Sequence, residues 1–145
     1  MLLMPFTDLQ KSLSTLIGTR VMLVSSAEIP EEAGVRLHFS DGAVLLAIYW
    51  RTISKHWTTL TSFDHGQKCG LTSPINATET LQRILVGKPV EGVQFDQRTG
   101  DLIFAFEADI EFHVFNFTDY EVWEITFSDG TGEYSNKAFE SASDQ

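Results

Sequence analysis

The sequence predicts an α+β fold: two similar helix-plus-antiparallel-strand halves packed into one compact domain. Three observations carry that expectation. Leu16-Ile17-Gly18-Thr19-Arg20-Val21 returns sixty-nine positions later as Leu85-Val86-Gly87-Lys88-Pro89-Val90. An apolar stripe at helical spacing precedes each copy, and short apolar runs separated by turn residues follow it. Val35-Arg36-Leu37-His38-Phe39 likewise has a counterpart in Leu102-Ile103-Phe104-Ala105-Phe106.

The first helix is expected over residues 6–17, where Leu9, Leu13, Leu16 and Ile17 share one face. Thr7 with Gln10 fits a capping box and Gly18 a C-terminal stop. Residues 19–29 read as a strand with a polar end, and 30–34 as a turn. Asp41-Gly42 is the strongest hairpin signal in the chain, joining strands at 35–40 and 43–50. Arg51 to Trp57 continues as a bent or separate strand. The stretch 58–75, rich in Thr, Ser and Gly, reads as a long polar connection.

Asn76 with Glu79 then gives a second capping box, and Leu81, Ile84 and Leu85 an apolar stripe ending at Gly87. Strands follow at 89–97, 101–107, 110–117 and 120–128, with a short last one at 131–135. The closing Ser-Ala-Ser-Asp-Gln reads as a frayed end. One helix over a small sheet buries little apolar area. Four large side chains left exposed on each half would forgo about 6–12 kcal/mol, comparable with the whole stability of a small domain. The expectation is therefore a single domain, 1–145, whose halves (about 6–57 and 76–135) pack together across the polar loop 58–75.

Charge separates the halves. The formal net charge is −10. Residues 1–69 hold six basic and six acidic residues, whereas 70–145 hold four and fourteen, so the whole imbalance lies in the second half. Between Arg98 and Lys137 there is no Lys or Arg at all. A chain so acidic is a poor phosphate-backbone binder, which predicts no nucleic-acid partner. No apolar run approaches membrane-spanning length, and the N-terminus lacks the basic flank of a secretory signal, so a cytoplasmic protein without membrane association is the default. The single Cys69 excludes an intrachain disulfide.

Alternation in 110–117 puts Ile110, Phe112 and Val114 on one side and Glu111, His113 and Phe115 on the other. In 120–128 the inward set is Trp123, Ile125 and Phe127, with Glu121 near the strand start, and Glu124 faces outward. A solvated acidic face that keeps sheet edges from pairing is one reading of these acids. The sharper reading is an anionic docking surface for a cationic protein, with self-repulsion relieved on binding. It draws on Asp101, Glu107, Asp109, Glu111, Glu121 and Glu124, with His113, Phe115 and Tyr120 as anchors.

Catalytic patterns are sparse. His38, His56, His65 and His113 are scattered, and no second Cys/His pair joins His65 and Cys69 to complete a zinc set. Cys69 paired with His65 or His56 as a nucleophile lacks a third orienting group. No phosphate-binding loop or dinucleotide fingerprint occurs. Trp50, Trp57, Arg51 and Lys55 form an aromatic-basic group too small for nucleic acid, with Trp50 better placed in the core. The expectation is no catalytic residue, metal or cofactor.

Tyr120-Glu121-Val122-Trp123-Glu124-Ile125-Thr126-Phe127-Ser128-Asp129-Gly130 resembles the closing segment of small bacterial proteins encoded beside polymorphic toxins. Gly100-Asp101-Leu102-Ile103-Phe104-Ala105-Phe106 and the strand ending in Trp50-Arg51 look like their preceding landmarks. The similarity runs from about Leu13 to about Asn136. The group includes immunity proteins of contact-dependent growth-inhibition systems, some of them similar to a duplicated helix-and-four-strand arrangement. The resemblance implies a non-catalytic protein that binds and neutralises the C-terminal domain of a cognate toxin, many of which are basic nucleases. It supplies no site residues. The alternative from another class is a small-molecule binder or enzyme with a pocket between the halves, drawing on His65 and Cys69.

Overall fold

The computed structural model describes residues 6–27, 34–54, 58–68, 70–116, 118 and 120–136. Helix α1 covers Phe6–Ser14, followed by strands β1 (Val21–Ser26), β2 (Val35–Phe39), β3 (Val44–Ala47), β4 (Trp50–Ile53) and β5 (Thr59–Thr61). Helix α2 covers Ala77–Leu85, followed by β6 (Val90–Phe95), β7 (Leu102–Phe106), β8 (Ile110–Val114), β9 (Trp123–Thr126) and β10 (Gly132–Tyr134). The class is α+β with strands dominant, arranged as two five-stranded antiparallel sheets.

Neither sheet is built from one half of the sequence. The first runs β1-β2-β3-β9-β10 and the second β6-β7-β8-β4-β5. Each half thus sends its last two strands into the other's sheet. The helices cross over as well, α1 packing on β6 and α2 on β1. Period-2 burial feeds the inner faces of both sheets into one apolar cluster, which includes Leu13, Leu37, Trp50, Leu81, Phe104, Phe112 and Trp123. The rings of Phe39 and Phe104 stack at 6.0 Å between the sheets.

The two copies of the repeated hexapeptide meet each other. Gly18 N–H donates to the Val90 carbonyl and Gly87 N–H to that of Val21, both at 2.8 Å. Val90 N–H donates to Thr19 and Val21 N–H to Lys88, around an antiparallel bridge between Arg20 and Pro89. Each bond maps onto its mate by the sixty-nine-residue interval. Gly18 and Gly87 have φ of 89° and 84°, a region only glycine occupies without strain. β1 and β6 also carry a bulge at matching places, between Val21 and Leu23 and between Val90 and Gly92.

Several local expectations need correction. Helix α1 stops three residues early, because the amides of Thr15, Leu16 and Ile17 turn back to carbonyls three positions before them. That rotation takes Ile17 off the buried stripe and leaves it 50% exposed. The stretch read as a polar connection contains β5, whose Thr-Leu-Thr buries Leu60 and pairs with β4. The strand expected at 43–50 is interrupted at Ile48-Tyr49, where the chain passes from one sheet to the other. The Asn76 box is half-formed: its side chain accepts from Glu79 N–H, but the Glu79 carboxylate turns to Arg83. Lys55, His56, Trp57 and Cys69 lie outside the described residues, as does the side chain of Thr7 on which its cap depends.

Candidate functional site

The outer faces of the two sheets differ in chemistry. On the second sheet, strand registers set Ile103, His113, Arg51 and Thr61 in one cross-strand row and Ala105, Glu111, Ile53 and Thr59 in the next. Above them, Phe115 N–H donates to the Tyr49 carbonyl, extending the β4–β8 pairing by one step. Arg51 and Ile53 alternate with buried Trp50 and Thr52 and look outward, while Tyr49, half-buried at the bend before β4, packs in part against the core.

A directed hydrogen-bond chain crosses this face. Arg51 Nη2 lies 2.7 Å from His113 Nδ1, and His113 Nε2 lies 2.8 Å from Glu111 Oε1. Guanidinium can only donate, so Nδ1 accepts, and the imidazole proton sits on Nε2 facing the carboxylate. The Arg51 guanidinium also lies 5.1 Å from the Phe115 ring centre, with His113 edge-on to the same ring. Arg51 Nε is buried with no hydrogen-bond partner. Beside this group Tyr49 and Phe63 stack at 5.8 Å, and Phe63 is 65% exposed.

On the first sheet the corresponding rows are Arg36, Leu46, Glu124 and Tyr134, then His38, Val44, Thr126 and Gly132. His38 there takes part in a hydrogen bond with Ser25.

The sequence-predicted contact residues are consequently divided. Glu111, His113 and Phe115 share a face as alternation required. Glu107 and Asp109 sit exposed in the β7–β8 turn, at the end of the second sheet remote from Asp101. Asp101 precedes β7, and its carboxylate accepts from Asn116 N–H at 2.7 Å. Glu124 projects from the first sheet, and Glu121 and Tyr120 from the β8–β9 connection, where Tyr120 is 78% exposed. These acids form no single continuous surface. Glu111 is hydrogen-bonded to His113, which in turn meets Arg51 of the N-terminal half.

Two further carboxylates are held below the usual range. The Arg98 backbone N–H, then its side chain, does this for Asp96, and the Thr131 hydroxyl and N–H do it for Asp129. Both stabilise turns. His65 accepts Ala77 N–H at 3.0 Å, helping to cap α2. Among the described residues no group of three or more His, Cys, Asp or Glu could hold a metal, and no helix is long and apolar enough to cross a membrane.

Sequence reasoning missed Tyr49 and Phe63 and left Arg51 in a patch judged too weak. The one local signal was alternation around Trp50, which turns Arg51 outward once Trp50 is assigned to the core. No protein family, curated protein or solved structure matches the chain.

Proposed function

We propose that this chain is an immunity-type inhibitor, a cytoplasmic protein that binds and neutralises a cationic toxin domain. We propose also that it is built from two diverged copies of one helix-plus-five-strand unit that have exchanged their last two strands. The inhibitor reading rests on the resemblance of the closing segment and on one physical observation. Glu107, Asp109 and Glu124 are exposed, and none is ion-paired to Lys or Arg among the described residues, where the close pairs are Arg83–Glu79, Arg98–Asp96 and the His113–Glu111 contact. Carboxylates left uncompensated on a chain of charge −10 repel one another until a basic surface covers them, and they accelerate its approach.

Support for the duplication comes from the matched hydrogen bonds and bulges sixty-nine residues apart, and from the strand orders, which interchange when β1–β5 are swapped with β6–β10.

The reading expects a secreted toxin encoded directly upstream, and co-expression with the C-terminal domain of that toxin is the test. The inhibitor should restore growth, and the purified pair should associate more slowly as salt is raised through the range where the Debye length falls below about 8 Å. Growth arrest that persists despite soluble inhibitor, or association indifferent to salt, would overturn the reading.

A further inference from the structure

We infer that the outer face of the second sheet is the surface that meets the cationic partner, with the stacked Tyr49 and Phe63 as anchor and Arg51, His113 and Phe115 as its fixed floor. This rests on the inhibitor reading and names the site within it.

Comparison within the chain separates what the fold needs from what it does not. Trp50 and Trp123 occupy equivalent inner positions on β4 and β9, and both are buried. A buried serine, Ser62 or Ser135, accepts the N–H of the tryptophan in each place. Such paired features serve the architecture. Arg51, His113 and Glu111 have Glu124, Leu46 and Val44 at their equivalent positions, so the directed chain occurs once. The fold is evidently satisfied without it on the other sheet.

What occurs once is also suited to recognition. The Tyr49–Phe63 stack presents aromatic area, more than half of the Phe63 side chain reaching solvent. Aromatic and arginine side chains held in place by neighbours are the usual anchors of protein interfaces, because little conformational freedom is lost when they are covered. Arg51 is held by His113 on one side and the Phe115 ring on the other.

Charge selects the occupant. Asp101, Glu107, Asp109 and Glu111 lie on this sheet or in its turns against Arg51; the first sheet is acidic too, with Glu124 on its face and Asp41 and Asp129 in its turns against Arg36, so the exposed aromatic pair is what distinguishes the second. A partner surface bearing Lys or Arg beside aliphatic groups therefore fits here. Its cations can lie over the exposed aromatic ring and meet the carboxylates at the rim.

The test uses the full-length protein, immobilised and panned with a phage-displayed library of short linear peptides. Enriched peptides should be basic with an aliphatic or aromatic residue. Binding of a synthetic copy should fall about tenfold or more in Phe63→Ala, with the melting temperature unchanged. Glu111→Lys and Glu124→Lys each change net charge from −10 to −8, so they separate local from overall electrostatics. Glu111→Lys should weaken binding about tenfold and Glu124→Lys about twofold or less. Backbone amide shifts caused by the peptide should centre on β4 and β8. Acidic or neutral consensus peptides, no enrichment, an unaffected Phe63→Ala, or a loss in Glu124→Lys as large as in Glu111→Lys would each overturn this assignment. In that event neutralisation of the upstream toxin domain would leave the inhibitor reading standing. Conversely, peptides bound here beside an unneutralised toxin would sink that reading and keep the face.

Discussion

The two sheets resemble each other on their inner sides and differ on their outer sides. Inside, both sheets are almost wholly apolar, the exceptions being buried Thr52 and Glu133, which stand where the other sheet has Ile125 and Leu60. Leu37 and Leu45 face each other on β2 and β3, and Phe104 and Phe112 on β7 and β8, all fully buried. Outside, the same registers carry Arg36, Leu46 and Glu124 on one sheet and Ile103, His113 and Arg51 on the other. Packing density explains the contrast. A core position must fill a volume fixed by its neighbours, whereas an outer position is constrained only by solubility and by whatever covers it.

The largest test of the comparison is at the tryptophans. Trp50→Ala and Trp123→Ala should each cost about 3–5 kcal/mol, read as a shift in denaturant midpoint. Neither should be mild: Trp123→Ala removes an indole N–H that donates to the Gly100 carbonyl at 2.8 Å, and Trp50→Ala a buried ring that packs against Phe112 at 5.8 Å. Gly100 is fixed by the same contact region: its φ is 83°, and a Cβ there would collide with Asn116 Nδ2. A mild Trp123→Ala beside a severe Trp50→Ala would mean that the two positions are not equivalent.

A smaller effect is expected at the serines. Ser62 Oγ accepts from Trp50 N–H at 3.2 Å, whereas Ser135 Oγ accepts from both Val122 at 2.7 Å and Trp123 at 3.3 Å. Removing either hydroxyl strands a buried amide at about 1–3 kcal/mol. Ser135→Ala should therefore exceed Ser62→Ala in urea unfolding. Equal losses would place the second amide in contact with another acceptor.

How much of this was legible depended on range. The Asp41-Gly42 hairpin, the burial of Trp123, Ile125 and Phe127, and the shared outward side of Glu111, His113 and Phe115 follow from period-2 alternation and turn chemistry, which are local. The exchange of β4-β5 with β9-β10 was not legible, because pairing between segments some sixty residues apart leaves no trace in either segment alone. For the same reason Arg51 could not be assigned to His113, and the acids were credited to one surface although β9 delivers Glu124 to the first sheet. Phe63 was hidden by its setting, a single aromatic among threonines, serines and glycines. Only its stack on Tyr49 gives it a role.

The last effect, smallest at Gln82, concerns the edges. β1 and β6 end their sheets, and an unpaired strand edge invites another chain. A glutamine covers part of each. Gln10 on α1 makes two bonds to β6, donating to the Val93 carbonyl at 2.8 Å and accepting from Phe95 N–H at 3.0 Å. Gln82 on α2 makes one to β1, accepting from Val24 N–H at 3.3 Å. Each net bond is worth about 0.5–1.5 kcal/mol. Gln10→Ala should thus cost about 1–3 kcal/mol and Gln82→Ala about half that. Amide exchange sharpens the measurement beyond a melting curve. Phe95 should lose protection in Gln10→Ala while Val24 keeps it, and the reverse should hold in Gln82→Ala, because local opening at an edge is seen by its own amide before the sheet unfolds. If both variants deprotect both edges together, the sheets open as one cooperative unit, and the glutamines act on the whole core rather than on the strand each touches.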